Sequence, residues 1–211
     1  MLSGKTSFMT DLKSTVPCAR TLPVLHTQRL TLVLASPEHA QASVDFFKRN
    51  RAHLAPWDPP TPIDFYTQAY WEKLGNGSQI DFLAGVGVRL NVFLPQKFQT
   101  LVGRINFSQI SRGAFQSCML GYALDAEHQG KGFMHEGLNA AIDYMFTVQK
   151  LHRIQANYLP ENRRSAAVLK RLGFAIEGLG MQYLFINGQW RDHVLSALLN
   201  SQFPPHTSPL S

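Results

Sequence analysis

Cysteine is scarce in this chain, with Cys18 and Cys118 the two present among 211 residues. They lie far apart, so no disulfide framework is indicated and a reducing cytoplasm is the expected setting. Cys118 falls inside an apolar strand pattern, and nothing nearby marks a partner that would make it a nucleophile. Long apolar runs are also missing. None approaches the roughly 20 residues needed to cross a bilayer, so no membrane partner is expected. The first residues lack the apolar core of a secretory signal. Acids are outnumbered, 14 against 20 Lys and Arg, for a net charge of +6. Such a balance favours acidic partners, polyanionic cofactors among them. RNP, KH and zinc-finger patterns are absent, so neither sequence-specific nucleic-acid binding nor a bound metal is expected. The chain also has no P-loop and no G-x-G-x-x-G, which removes the commonest ways of holding a nucleoside triphosphate or a dinucleotide.

What is present suffices for one domain. With 45% hydrophobic residues, the chain is long enough for a substantial core and too short for two. Residues 1–21 are polar and nearly free of acids, and read as a disordered extension. Residues 22–200 form the domain, and 201–211, with three prolines, a flexible tail. Leu25 to Ala35 alternates as a first strand. Ser36 and Pro37 then open a helix carrying Val44, Phe46 and Phe47. The run H-L-A-P-W-D-P-P-T-P cannot be helix interior. Its Trp57 is either a core plug or a groove wall. Ile63 to Leu74 reads as a second short helix. Strands follow at Phe82–Leu94, Thr100–Ile110 and Phe115–Leu124. Asn106 and Ser108, in the second of them, face either a cleft or solvent. Arg153–Leu159 reads as another strand, and Gln182–Ile186 pairs with Arg191–Leu199 about the Asn187–Gly188 turn. No internal repeat is visible. The pattern is a mixed α/β sheet with helices inserted at intervals.

The most informative stretch runs L-G-Y-A-L-D-A-E-H-Q-G-K-G-F-M-H-E-G-L, from Leu120 to Leu138. A buried strand gives way to a loop in which Gly130 and Gly132 flank Lys131. Met134, Leu138, Ala141, Ile142 and Met145 then recur at helical spacing. A helix leaves its first backbone N–H groups without partners, and the positive end of its dipole sits there. Glycines let an anion approach such a backbone. The loop is therefore a seat for a pyrophosphate-bearing ligand, although two glycines can also serve a plain strand-to-helix turn.

A second block, A-N-Y-L-P-E-N-R-R-S-A-A-V-L-K-R-L-G-F, runs from Ala156 to Phe174. Together the two blocks resemble the GNAT superfamily of N-acetyltransferases, whose loop reads Q/R-x-x-G-x-G/A. Here that loop is Glu127 to Gly132, with Glu in place of the usual Gln or Arg. The N-x-x-S and L-x-x-L-G-F elements, with H-L-A-P-W earlier and N-G-Q-W-R-D-H-V later, are similar to the branch that acetylates N-terminal alanines of ribosomal proteins. The resemblance spans roughly Leu25 to Leu199. It implies the GNAT fold, a mostly antiparallel sheet splayed into a V between its fourth and fifth strands, with flanking helices. It also implies acetyl-CoA as co-substrate. Gln129, Gly130, Lys131, Gly132, Phe133 and Met134 would hold its pyrophosphate. The main chain at Tyr122, Ala123 and Leu124 would meet its pantetheine arm, and Asn162 and Ser165 would lie beside it.

On the same resemblance, Ser165 steadies or protonates the departing thiolate. Arg163 and Arg164 are either cofactor ligands or a solvated basic face. No carboxylate occupies a convincing strand position for a general base. Asp125 and Glu127 lie too near the pyrophosphate end, and Glu177 reads as structural. Tyr183, Asp192 and His193 on the last hairpin remain, with Tyr183 the candidate carried forward as catalytic. The substrate offers another way out. An α-amine titrates near 8 and a lysine near 10.4, so an N-terminal acceptor is partly neutral without help. The expected activity is acetyl transfer to the N-terminal alanine of a ribosomal protein, with S5 the candidate acceptor and association with the ribosome a further expectation, by a monomer or homodimer. The alternatives are a small-molecule amine acceptor, such as an antibiotic or polyamine, and a non-catalytic CoA-binding ribosome-assembly factor.

Overall fold

The computed structural model describes residues 21–203. The disordered start expected for 1–21 lies outside them except for Thr21. Of the expected tail, Ser201–Phe203 form a turn with the Phe203 ring against His152, centroids 5.1 Å apart.

One eight-stranded sheet organises the chain. Its strands are β1 (Val24–His26), β2 (Thr31–Leu34), β3 (Val88–Leu94), β4 (Lys97–Ser111), β5 (Ser117–Leu124), β6 (Arg153–Gln155), β7 (Ala175–Ile186) and β8 (Gln189–Leu199). They lie in the order β1-β2-β3-β4-β5-β6-β8-β7. Every pairing is antiparallel except β5 with β6. The helices are α1 (Ala40–Arg49), α2 (Arg51–Leu54), α3 (Gln68–Ala84), α4 (Phe133–Thr147) and α5 (Arg163–Arg171).

The two faces of the sheet carry different cores. Leu30, Leu32, Leu90, Val92, Ile105 and Phe107 pack with Leu138, Ala141 and Met145 of α4 and Leu169 of α5. Leu138 and Met145 are fully buried, each withdrawing enough apolar surface to contribute roughly 2 kcal/mol. On the other face, Phe46 and Leu54 meet Phe93 and Leu101. Beside them Val44 and Phe65 pack with Trp71 of α3.

Several expectations hold. Ser36 is the N-cap with Pro37 in the first turn, as the sequence suggests, although that turn is 3₁₀ before α1 begins, and His39 Nδ1 accepts from Ser36 N at 3.3 Å. Asn187 and Gly188, both at positive φ, make the last hairpin. Others need correction. The first strand is a hairpin, because Thr27 N donates to Leu30 O at 2.9 Å and folds the chain back within Leu25–Ala35. The strand expected over Arg153–Leu159 stops at Gln155, leaving one bridge at Tyr158.

The largest difference is the second helix, expected over Ile63–Leu74. It starts after the Thr67 N-cap and runs to Ala84, where Gly85 at φ 73° ends it. Its last turns occupy what read as the start of a strand at Phe82. Two interior glycines, poor helix formers, hid it. Gly75 is there for clearance: a Cβ would lie 2.4 Å from the carbonyl carbon of Ser36. Gly77 has no such neighbour within 4 Å. Gly75→Ala is therefore expected to destabilise the protein by about 1–3 kcal/mol. Gly77→Ala should stabilise it by about 0.5–1 kcal/mol. Thermal or urea unfolding of the two variants reads this as shifts of opposite sign.

Candidate active site

The splay expected between the fourth and fifth strands falls between β5 and β6, since the first strand counts as two. These strands pair over Ser117↔Arg153, Cys118↔Ile154 and Met119↔Gln155 and then part. Past that point β6 turns to β8: Ala156 N donates to Ser196 O at 2.9 Å, and Tyr158 and Val194 exchange bonds of 3.1 and 2.8 Å. Meanwhile β5 stays on β4 as far as Gly103↔Leu124. Asp125 N bonds to Val102 O at 2.9 Å, which sets the phase of that antiparallel ladder. Ala123 and Gly121 therefore direct their main chain to β4. Tyr122 and Leu124 direct theirs into the wedge, where acceptors and donors remain for an extended amide-bearing ligand.

At the wedge's wide end lies the glycine loop. Gly130 at φ 72° and Gly132 at φ 79° hold left-handed conformations, and Gly132 is the N-cap of α4. The N–H groups of Phe133 and Met134 begin the helix beyond it. Lys131 does not reach outward: its Nζ donates to Glu127 O at 2.8 Å, which closes the loop on itself. Gln129 meets His53 of α2 at 2.6 Å. Arg29, which no sequence pattern marks, braces the loop from the β1–β2 turn. It donates to Lys131 O at 2.9 Å, pairs with Glu136 at 2.6 Å and stacks 4.6 Å over Phe133. The Glu136 carboxyl is held below its ordinary value, with burial opposing the bonds from Thr27 and Arg29 that lower it.

The structure brings Tyr122 and Ser165 together from positions 43 residues apart, their hydroxyl oxygens separated by 2.7 Å. Asn162 caps α5 by accepting from Ser165 N at 3.1 Å, so cap and candidate ligand are the same residue. Burial pushes the Tyr122 phenol up to about 12, against the Ser165 hydrogen bond that lowers it. The pair is thus fully protonated at neutral pH and can supply a proton. Tyr183 lies elsewhere, on exposed β7, where its hydroxyl accepts from Asn157 Nδ2 at 3.0 Å and its ring leans on His193. Asp192 accepts from Gln182 N at 2.8 Å across a bulge, a structural task. Glu177 is paired with Arg153, which holds its carboxyl below the ordinary range. Cys118 is buried, and burial pushes its thiol up to about 12, so it is no thiolate nucleophile.

On the α1 side of the sheet lies a cleft of about 440 Å³, joined to β5 through the buried cluster in which its Phe47 and Leu54 pack with Ala123. Phe47, Arg51, Asp58, Phe65, Tyr66 and the Asn187–Gly188 turn line it. Trp57 is half-buried and does not line it. The sheet under α1 and α3 is polar: Arg89 and Asn91 of β3 stand opposite Asn106 and Arg104 of β4. Asn91 and Asn106 each keep a buried Oδ1 with no partner among the described residues. Arg104 lies 4.6 Å over the Trp71 ring, and burial lowers its guanidinium to about 10. Burial likewise raises the Asp58 carboxyl to about 6, with Arg104 opposing. Neither Asp58 nor Arg104 stood out in the sequence. The available signal for Asp58 was a single acid in a proline-rich run directly after a tryptophan.

Comparison with known proteins agrees with this geometry. The family model described as an acetyltransferase (GNAT) domain matches residues 29–175. A relative from Escherichia coli K12, the [ribosomal protein uS5]-alanine N-acetyltransferase, is 40% identical over 198 residues, 93% of this chain and 99% of its own. The crystal structure of the ribosomal-protein-S5-alanine acetyltransferase from Vibrio fischeri superposes with a TM-score of 0.83 at 36% identity, covering 87% of this chain and all of that one. Mycobacterium smegmatis RimJ in complex with CoA-disulfide does so at 0.77 with 28% identity, covering 90% and 91%. Matched along most of its length by both sequence and fold, and carrying the parted strands and glycine loop, the chain belongs to the GNAT acetyltransferase family.

Proposed function

We propose that the protein is an acetyl-CoA-dependent N-acetyltransferase that modifies the N-terminal alanine of a ribosomal protein, S5 foremost, in the cytoplasm. The observation that carries this reading is the main chain of Tyr122 and Leu124, unpaired among the described residues and leading directly into the Gly130–Gly132 loop. A strand edge left open inside a protein calls for a ligand that hydrogen-bonds like a strand. A pantetheine arm, with two amides and a pyrophosphate beyond them, has that form. The near full-length match to the E. coli enzyme supports the choice of acceptor.

Each requirement of amide transfer finds a residue. Loop N–H groups at Gly132 to Met134 and the dipole of α4 receive the pyrophosphate. The wedge-facing N–H groups of β5 hold the arm and polarise the thioester carbonyl. Ser165, hydrogen-bonded to the protonated Tyr122 phenol, returns a proton to the thiolate as it leaves. The acceptor enters from the cleft on the α1 side and attacks the thioester directly. Arg51 and Arg104 give that cleft a positive bias, which disfavours a polyamine as acceptor.

Ser165→Ala should lower kcat by about 10²-fold with acetyl-CoA affinity nearly unchanged. CoA release from purified small-subunit ribosomal proteins, alongside calorimetry, measures both. Wild-type protein that binds acetyl-CoA yet releases no CoA with any of them would overturn the acceptor assignment. A free Ala-starting peptide should also be acetylated at least tenfold faster at pH 7 than an N-blocked lysine peptide, since a far smaller fraction of the lysine is neutral. Equal rates in a competition assay would contradict an N-terminal preference.

A further inference from the structure

We infer that Asp58 is the group that takes the proton from the acceptor's amine, an assignment that rests on the acetyltransferase reading above. The carboxylate lines the cleft on the acceptor side and makes no hydrogen bond or ion pair among the described residues. Its place is fixed by the main chain, since Asp58 N donates to Leu54 O at 3.2 Å and ties it to the end of α2. Arg104 is the charge that acts on it. In the β4–β5 ladder Arg104 stands directly opposite Ala123, between the two residues whose main chain faces the wedge. Phe47 and Leu54 line the cleft with Asp58, and Ala123 packs against the same buried cluster, so the cleft and the strand segment along which the thioester would lie share a wall.

The surroundings suit a base. Phe47, Phe65, Tyr66 and Pro59 supply apolar wall. The charged and titratable groups about Asp58 are Arg104 from β4, which in turn feels Arg89 of β3 and Tyr70 of α3, and Arg51 from α2 and Tyr66 from the following loop, which line the same cleft. The β7–β8 turn contributes Asn187 and Gly188, which carry no charge. Arg51 lies 5.5 Å over the Tyr66 ring. Two guanidinium groups make the site unwelcoming to an ammonium and favour its conversion to a neutral amine. Burial raises the carboxyl to about 6, so it is ionised at neutral pH and still basic enough to accept a proton.

The balance is simple. The α-ammonium gives one proton to the Asp58 carboxylate, which frees the nitrogen lone pair. Nitrogen bonds to the thioester carbonyl carbon, the carbon–sulfur bond breaks, and the second proton of the nitrogen replaces the one that the Tyr122–Ser165 pair has given the thiolate. Acetylated N-terminus and free CoA result, and Asp58 loses its proton to water.

Asp58→Asn tests this, with an Ala-starting peptide as acceptor and kcat/KM followed from pH 5.5 to 8.5. Wild type should be level between about 6 and 8 and fall on the acid side as the carboxylate is protonated. The variant should be slower by about 10²-fold near pH 7 and rise with pH up to about 8, as the peptide amine itself titrates. Its acetyl-CoA affinity should stay within about twofold of wild type. Asp58→Ala with added formate, which can enter the vacated space as a small carboxylate base, should regain part of the rate. An Asn variant with the wild-type rate and profile would sink the assignment, and so would acetyl-CoA affinity falling in step with activity. Failure of the two readings is distinguishable. An unchanged variant beside an active wild type overturns the role of Asp58 alone, whereas a wild type that transfers to no peptide amine overturns both.

Discussion

Everything in the site follows from two neighbouring strands that agree over three residue pairs and then separate. A parallel pair would ordinarily continue, because an unpaired strand edge leaves donors and acceptors unsatisfied. Here each strand has a better offer on its other side. The segment after β6 is captured by β8 through Ala156 and Tyr158, while β5 remains bonded to β4 up to Leu124. Asn157 strengthens the divergence, since its amide group accepts from Ser196 N at 3.3 Å and donates to the Tyr183 hydroxyl. Tyr183 thus helps hold the last hairpin away from β5.

A second constraint joins the two substrates' sides. The end of α1 and the start of α2 grip the chain where it leaves β5. Arg49 pairs with the buried Asp125 at 2.6 Å and also donates to Leu101 O. Asn50 Oδ1 accepts from Ala126 N at 2.9 Å, and His53 meets Gln129. Removing Arg49 would leave a carboxylate uncompensated in the interior, which is why this pair positions the loop so firmly. Asp58 follows four residues after Leu54, the last residue of α2. The cleft and the cofactor loop are therefore mounted on one short stretch of backbone.

Those relationships explain what could be read from the residues alone. Strand alternation, the Gly130–Gly132 loop and the amphipathic run of α4 are local patterns, and each was legible. The Asn162 cap is equally local, since its partner Ser165 is three positions away. Tyr122 meeting Ser165 depends on how α5 lies on the sheet; the family likeness places the Tyr122 main chain and Ser165 each beside the cofactor, and the bond between their hydroxyls is visible only in the fold. Helix α3 is hidden in the sequence because Gly75 answers to the backbone at Ser36 and Pro37, a contact invisible in composition. Asp58 and Arg104 are inconspicuous in the sequence on similar grounds. Their properties come from burial and from each other, across chain positions that no periodicity links.

The acidity of Asp58 also bears on which amines the cleft can use. Moving a proton from an α-ammonium of pKa near 8 to a carboxyl at about 6 is uphill by about 3 kcal/mol. The same transfer from a lysine near 10.4 is uphill by about 6 kcal/mol. The first fits comfortably within an enzymatic barrier, and the second consumes about 3 kcal/mol more of it, a difference of more than a hundredfold in rate. A strongly basic group would erase that distinction by deprotonating either amine. A carboxylate raised only partway by burial, and kept from rising further by Arg104, preserves it. Selectivity for chain termini then comes from the modest strength of the base, alongside whatever the aromatic walls contribute by shape.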